Sequence, residues 1–219
     1  MKEEYSQKAL DFLKDNKKLF LERHTNGICA VEPKLAVFTA GMSGAGKTEY
    51  AQDRRQKEPF LLHIDTDEVR NFFAPVGYNG ENAEFFQKPS GRGVHILFDE
   101  AIKYGFSIIL DSNFADFDLA QRNIMRLIKR GYLISVNYIY NSPQKCAEYA
   151  RIRESVTKRN VPIEIVKKSL QNSFETTWAI KTLFGDTIVL NLFHREEDKE
   201  YANISQKEFL EVLGSAIEI

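Results

Sequence analysis

Cysteine is scarce in this chain of 219 residues: Cys29 and Cys146 stand far apart and form no C-x-x-C pair. That spacing excludes a disulfide framework and a cysteine-based zinc site. The four histidines make no H-E-x-x-H motif, so a zincin-type centre is excluded as well. Charge of either sign is not in excess, since 30 basic residues face 31 acidic ones for a formal charge of −1. A global field that would draw the chain to nucleic acid or to an anionic membrane is therefore missing. Long apolar runs are also missing: none approaches the roughly 20 residues that span a bilayer. The start Met1-Lys2-Glu3-Glu4-Tyr5 has no stretch suited to export, and a cytoplasmic protein is the expectation. Internal repeats and low-complexity tracts are absent. What is present is a hydrophobic content of 43%, sufficient for one sizeable core and for a single domain over residues 1–219.

Periodicity organises the chain. Tyr5, Ala9, Phe12, Leu13, Leu19 and Phe20 recur near a helical period, which predicts a helix over residues 3–22 within an N-terminal helical extension, residues 1–33. Five short apolar runs follow, at Leu35–Thr39, Phe60–Ile64, Ser107–Leu110, Leu133–Tyr140 and Thr187–Leu192, with helix-like segments between most of them. Such alternation predicts an α/β protein with a mostly parallel, five-stranded central sheet covered by helices on both faces. Ligands of such sheets sit beyond the carboxyl ends of the strands, so the residues that leave each run are the place to look for chemistry.

The first exit is Gly41-Met42-Ser43-Gly44-Ala45-Gly46-Lys47-Thr48, a complete G-x-x-x-x-G-K-[ST] motif. Its glycines let backbone N–H groups close around phosphate oxygens, and the following helix adds its positive dipole end. Lys47 is expected to bridge the β- and γ-phosphates of a nucleoside triphosphate, and Thr48 to offer a hydroxyl to Mg²⁺. Asp65-Thr66-Asp67-Glu68-Val69-Arg70 forms the second exit. Here Asp67 is the candidate base for an acceptor hydroxyl, and Arg70, one turn on, the candidate holder of an anionic substrate group. Capping by Asp65 or Thr66 is compatible with that reading. At the third exit, Ile108-Ile109-Leu110-Asp111-Ser112-Asn113, Asp111 is the candidate for supporting Mg²⁺, in competition with Asp65 and Asp67. The fourth exit, Asn141-Ser142-Pro143, opens a helix carrying Arg151 and Arg153 and leading to Arg159 and Pro162. Residues 151–168 hold six basic and two acidic side chains, which reads either as an arginine-bearing flap (about residues 151–165) closing over the triphosphate or as a solvated helix face. Between the second and third exits, residues 77–93 mix turn formers with amides and rings that could contact a sugar or base, and His63, His95 and Trp178 read as packing or satisfied polar residues.

Taken in order, these segments resemble the zeta-toxin family of phosphate-loop kinases. The points of similarity are Gly41–Thr48, Asp65-Thr66-Asp67, the stretch from Gly77-Tyr78-Asn79-Gly80-Glu81-Asn82-Ala83 to Phe86-Gln87, Ile109-Leu110-Asp111-Ser112-Asn113, and Ile152-Arg153-Glu154 with Lys158-Arg159-Asn160-Val161-Pro162. The resemblance implies a three-layer α/β P-loop kinase fold. It implies Asp67, Lys47, Arg153 and Arg159 as catalytic residues and Arg70, Tyr78, Asn82 and Asn113 as substrate-binding residues. ATP and Mg²⁺ become the expected cofactors, with Thr48 and Asp111 at the metal. The implied reaction transfers the γ-phosphoryl group to a hydroxyl of a UDP-amino sugar such as UDP-N-acetylglucosamine, and toxin–antitoxin pairing in the family makes an antitoxin protein an expected partner. Two departures stand out: Ser112-Asn113 replaces the usual Gly-Thr after the acidic residue, and His95 falls where a substrate-binding glutamate is common. Two other readings compete. A polynucleotide or other small-metabolite kinase would use the same parts, although the near-neutral charge argues against a nucleic-acid substrate. A non-catalytic nucleotide-dependent interaction module would need the phosphate loop but not Asp67.

Overall fold

The computed structural model describes residues 2–158 and 163–214. Among these, six strands form one sheet in the order β2-β3-β1-β4-β5-β6: β1 (Leu35–Ala40), β2 (Leu62–Asp65), β3 (Ile108–Asp111), β4 (Leu133–Tyr140), β5 (Ile188–His194) and β6 (Lys199–Tyr201). The first five pair in parallel, and β6 adds an antiparallel edge through Leu192–Tyr201 and His194–Lys199 registers. This is one strand more than the five expected. The sequence Lys199-Glu200-Tyr201 carries no apolar run because it lies on the exposed edge, where short charged strands discourage pairing with another chain.

The central strand β1 is buried along almost its whole length, which is why it reads as continuous apolar sequence. Its residues alternate between faces: Ala36, Phe38 and Ala40 join the large core cluster, while Val37 packs with Ala51 of α3 (Lys47–Lys57), Leu61 and Ile109. The large cluster is covered by α1 (Lys2–Asp15), α2 (Lys17–Thr25), α4 (Thr66–Asn71), α5 (Gln87–Tyr104), α6 (Phe117–Ile128), α8 (Ile163–Phe184) and α9 (Gln206–Leu213); α7 (Pro143–Thr157) follows β4. The result is a three-layer P-loop α/β fold.

Local chemistry explains several boundaries. In α6 the buried Ala120, Asn123, Ile124 and Leu127 follow the i, i+3, i+4, i+7 stripe, and the Asp116 carboxylate caps the helix by accepting from Leu119 N–H at 2.9 Å. A capping box between Ser205 and Glu208 opens α9, and Gly105 closes α5 with φ +72°. The single helix expected over residues 3–22 is instead two, α1 and α2. Asn16 interrupts it by donating its side-chain amide to the Phe12 carbonyl at 2.9 Å, an alternative to helical continuation that this side chain offers readily. Both helices are anchored, since Ala9, Leu13 and Phe20 are essentially fully buried and the Phe20 and Phe72 rings meet edge to face at 5.0 Å. The turn-rich stretch 77–93 is not one loop: it folds into a 3-10 turn at Ala83–Phe86 and the first turns of α5.

Gly93 lets α5 approach its neighbours, because a Cβ there would lie 2.5 Å from Val69 Cγ1 and 3.1 Å from Phe20 Cζ. Val69 is fully buried and stiff at χ1, so it cannot yield cheaply. Gly93→Ala is expected to lower the free energy of unfolding by about 1–3 kcal/mol in chemical denaturation, the usual cost of overpacking. A second expectation concerns His24. Burial, working against the nearby Glu68 carboxylate, pushes its pKa down to about 4. The unfolded chain binds a proton at the ordinary value near 6.5 while the folded chain resists it, so this group takes stability away as pH falls from about 6.5 toward 4. The difference in denaturation midpoint between the wild type and His24→Gln should therefore change across that interval and be constant above it.

Candidate active site

The carboxyl ends of β1, β2 and β3 open into a cleft of about 540 Å³, lined by the phosphate loop, by Asp65, Asp67, Arg70, Gln87, Asp111 and Asn113, and by Tyr149 and Ile152 of α7. The loop owes its shape to two glycines at positive φ that also meet backbone. Gly41 has φ +126° and a Cβ there would collide with the Ile139 carbonyl; Gly44 has φ +85° and a Cβ would collide with the Cys146 carbonyl. From behind, α8 holds the same loop: Gly41 N–H donates to Ser173 Oγ at 2.7 Å and Ser43 N–H to Ser169 Oγ at 3.4 Å. Lys47 is buried and folds back along the loop, donating to the Gly41 and Met42 carbonyls at 3.1 and 2.7 Å. Its ammonium is thereby held at the floor of the nest of N–H groups, where a triphosphate is bound in loops of this kind.

Opposite the loop, Asp65 caps α4 by accepting from Asp67 N–H at 2.9 Å, and this turn directs Asp67 into the cleft. Arg70 does not stand free for a substrate anion as expected. Its side chain is 1% exposed; Nη1 donates to Asp67 Oδ1 and Nη2 to Gln87 Oε1 at 2.9 Å. The guanidinium thus fixes the orientation of Asp67, with Gln87 at the start of α5 completing the relay.

Asp111 stands beside Asp65 in the register of β2 and β3. Its Oδ1 accepts from the Thr39 hydroxyl at 3.0 Å, and Oδ2 lies 3.8 Å from His63 Nε2. Burial opposes ionisation of Asp111, but His63, the Thr48 hydroxyl and the Lys47 charge outweigh it and hold its pKa below the ordinary carboxylate value. Asp65 goes the other way: burial, then the Asp67 and Asp111 charges, push it up to about 6. His63 itself is raised to about 9, because Asp111 on one side and Glu68 on the other, 3.1 Å from Nδ1, overcome the burial that would otherwise lower it.

Lys47, Thr48, Asp67, Asp111, Asn113 and Arg70 are therefore brought together around one cleft. Tyr78 and Asn82 are not: the Tyr78 ring packs on Phe86 at 5.5 Å, and Asn82 spends its side chain on Gly77 and Asn79 within its own turn. Arg159 and the side chain of Arg153 lie outside the described residues. His63, read as a packing or satisfied polar residue, is buried in β2 between the Glu68 and Asp111 carboxylates, two positions before Asp65 on the same strand. Gln87 entered only as part of the stretch that resembles the family, with no role given to it, and Ser169 and Ser173 carried no local signal, because only tertiary packing brings them to Arg70 and to the loop.

Comparison with known proteins bears on the fold and the family. The chain is similar in structure to a protein of the PezAT chromosomal toxin–antitoxin system of Streptococcus pneumoniae, with a TM-score of 0.73, 18% identity and 94% of each chain covered. It is also similar to a chain of the AvrRxo1-ORF1:AvrRxo1-ORF2 complex solved with ATP, at a TM-score of 0.67 and 12% identity, covering 99% of this chain and 73% of that one. At these identities the likeness establishes the fold. No curated protein matches the sequence. No helix among the described residues is long and apolar enough to cross a membrane. Residues 21–206 match the zeta toxin family model, a span that takes in the phosphate loop, both acidic strand exits and α7. With that span matched and its site built on a nucleotide-binding P-loop, the chain belongs to the zeta toxin family of kinase-type phosphotransferases.

Proposed function

We propose that this protein transfers the γ-phosphoryl group of ATP to a hydroxyl of a UDP-amino sugar such as UDP-N-acetylglucosamine. The observation that carries the reading is the pairing of Asp67 with Lys47 across one cleft, Asp67 being immobilised by Arg70 and by its place in the first turn of α4. A nucleotide switch needs the lysine and the loop but has no use for a carboxylate held in this way.

In the proposed step the acceptor hydroxyl lies between Asp67 and the γ-phosphorus. Its oxygen forms the new P–O bond as the bond to the β–γ bridging oxygen breaks, ADP leaves, and the hydroxyl proton passes to the Asp67 carboxylate. Transition states of this kind are loose and ask little covalent work of the protein, so positioning and charge dominate. Lys47 and the loop N–H groups meet the charge on the phosphates. Thr48 and Asp111 form an oxygen donor set suited to Mg²⁺, and the buried Oδ2 of Asp111 has no hydrogen-bond partner, which fits a cation nearby. When bound there, Mg²⁺ supplies neutralisation of the β- and γ-phosphate oxygens. Arg153 and Arg159 are proposed to add positive charge from the α7 side, and Asn113, which lines the cleft, to contact the acceptor.

The choice of a sugar nucleotide over nucleic acid is supported by the charge of −1 and by the exposed apolar side chains Tyr149 and Ile152 on the cleft wall, a surface for a base or sugar face rather than for a phosphate track. Since the similar structures come from the PezAT toxin–antitoxin system and from an AvrRxo1-ORF1:-ORF2 complex, an antitoxin protein is the proposed partner of this chain, placed to occlude the same cleft.

Incubation with ATP, Mg²⁺ and UDP-N-acetylglucosamine is expected to yield a phosphorylated sugar nucleotide, read by mass spectrometry. Asp67→Asn should lower the rate by about 10²–10⁴-fold, the scale of a lost general base, with ATP affinity retained. Equal turnover in Asp67→Asn would remove the assignment of Asp67. Turnover of an RNA or DNA end in place of the sugar nucleotide would replace the acceptor.

A further inference from the structure

Behind the triphosphate side of the cleft sits a group of which the phosphoryl-transfer reading uses only Asp111. One donor atom each from His63, Asp65 and Asp111 lies within 4.8 Å of the other two. The His63 and Asp111 side chains are only 2% and 4% exposed, yet His63 Nε2 and Asp111 Oδ2 face each other at 3.8 Å, too far for a hydrogen bond, and neither has any other hydrogen-bond partner. Two buried polar atoms left in this way carry a desolvation cost that needs an explanation.

The surroundings supply one. Nδ1 of His63 faces Glu68 Oε1 at 3.1 Å, so a carboxylate stands behind the ring while Nε2 faces the Asp111 carboxylate. This is the order carboxylate, imidazole, cation in which metal-bound histidines are ordinarily held. The remaining donors are restrained too: Asp111 Oδ1 is engaged by Thr39 and Asp65 Oδ1 by the Asp67 N–H, which leaves the second oxygen of each for a ligand. A gap of 3.8 Å between nitrogen and oxygen is bridged by an ion about 2.0–2.2 Å from each.

The geometry points to a second cation site at His63, Asp65 and Asp111, selective for a divalent transition metal such as Mn²⁺, Co²⁺ or Zn²⁺. Imidazole favours these ions, whereas Mg²⁺ favours oxygen alone. The site is distinct from the Thr48 side of Asp111 and shares only that carboxylate with it, as bridging acids do in two-metal centres. It needs no nucleotide, and it goes beyond the proposed reaction rather than resting on it.

The test is metal binding by the full-length protein, stripped with a chelator and kept free of nucleotide. Titration with Co²⁺ is expected to show one tight equivalent, with visible d–d absorption and a paramagnetically shifted imidazole N–H proton, resistant to a tenfold excess of Mg²⁺. His63→Gln should weaken that binding at least tenfold, and Glu68→Gln by about 10–100-fold, the usual effect of losing the group behind a metal-bound histidine. If His63→Gln does not fold, the wild-type spectrum and Glu68→Gln decide alone. Absence of tight Co²⁺ uptake by the wild type, or equal uptake by His63→Gln, would overturn the site and leave the gap to a protonated imidazole paired with Asp111. Because no nucleotide or acceptor is present, either result leaves the kinase reading where it stood.

Discussion

Two carboxylates at the ends of adjacent parallel strands are the constraint around which this molecule is arranged. Asp65 and Asp111 pair in register, both largely out of water, and like charges so placed cannot both ionise without help. The surrounding residues can be understood as that help. Thr39 and Thr48 hydroxyls and the Lys47 ammonium attend Asp111, while the first turn of α4 attends Asp65 through the Asp67 N–H. The compensation is uneven. Asp111 lies below the ordinary carboxylate range and Asp65 is lifted to about 6, so the pair splits into one firmly charged acid and one near its titration point. Sites that handle phosphate and cations separate neighbouring acids in this manner.

The same economy of position shapes the phosphate loop. Its glycines allow backbone to approach backbone, Gly41 against Ile139 and Gly44 against Cys146, so that the start of α7 and the end of β4 become its outer wall. Ser169 and Ser173 of α8 then take two of the loop's N–H groups from behind. Met42, Ala45, Ile139, Cys146 and Val166 make a small apolar cluster beneath it. A loop tied to three separate elements is preorganised for an anion, since few groups must be ordered when the ligand arrives. It also couples α7, which carries Tyr149 and Ile152 on the cleft wall, to the residues that hold phosphate.

How much of this the sequence revealed depended on whether the cause was local. The run Leu133–Tyr140 is a strand with those bounds because Ile134, Val136, Tyr138 and Tyr140 fill one buried face, with a turn before it and Pro143 opening the next helix just after it. Gly41–Thr48 is legible because the physics of cradling phosphate dictates the residues and their spacing. The place of Asp67 and Asp111 on the cleft wall could be read from the rule that ligands of such sheets sit beyond the strand ends. The break at Asn16 and the polar sixth strand ran against the periodic signal, one through a side chain that competes with the helix, the other through its place on the sheet edge. Arg70 was legible as a neighbour of Asp67 but not as its ion-pair partner. Spacing placed it one turn from Asp67, and only the burial of its side chain and the arrival of Gln87 from α5 show that it serves the carboxylate. His63 reads from the sequence as packing or a satisfied polar residue, and only the fold shows the two carboxylates it lies between.

The Arg70–Asp67 pair suits the kind of reaction the family performs. A reaction that had to strip a proton early would be poorly served by a carboxylate already bound to a guanidinium, because the acceptor would compete with Arg70 for the same oxygens. Phosphoryl transfer through a loose transition state makes the smaller demand that one lone pair be aimed at the hydroxyl while charge gathers on the phosphate. Arg70 donates to Asp67 Oδ1, which removes rotation of the carboxyl group as an alternative. Gln87 prevents the guanidinium from turning away, and its own position is set by the helix that Gly93 allows to lie against Val69. The orientation of Asp67 is thus traced back to the missing side chain of Gly93 on α5, which packs against Val69 of α4.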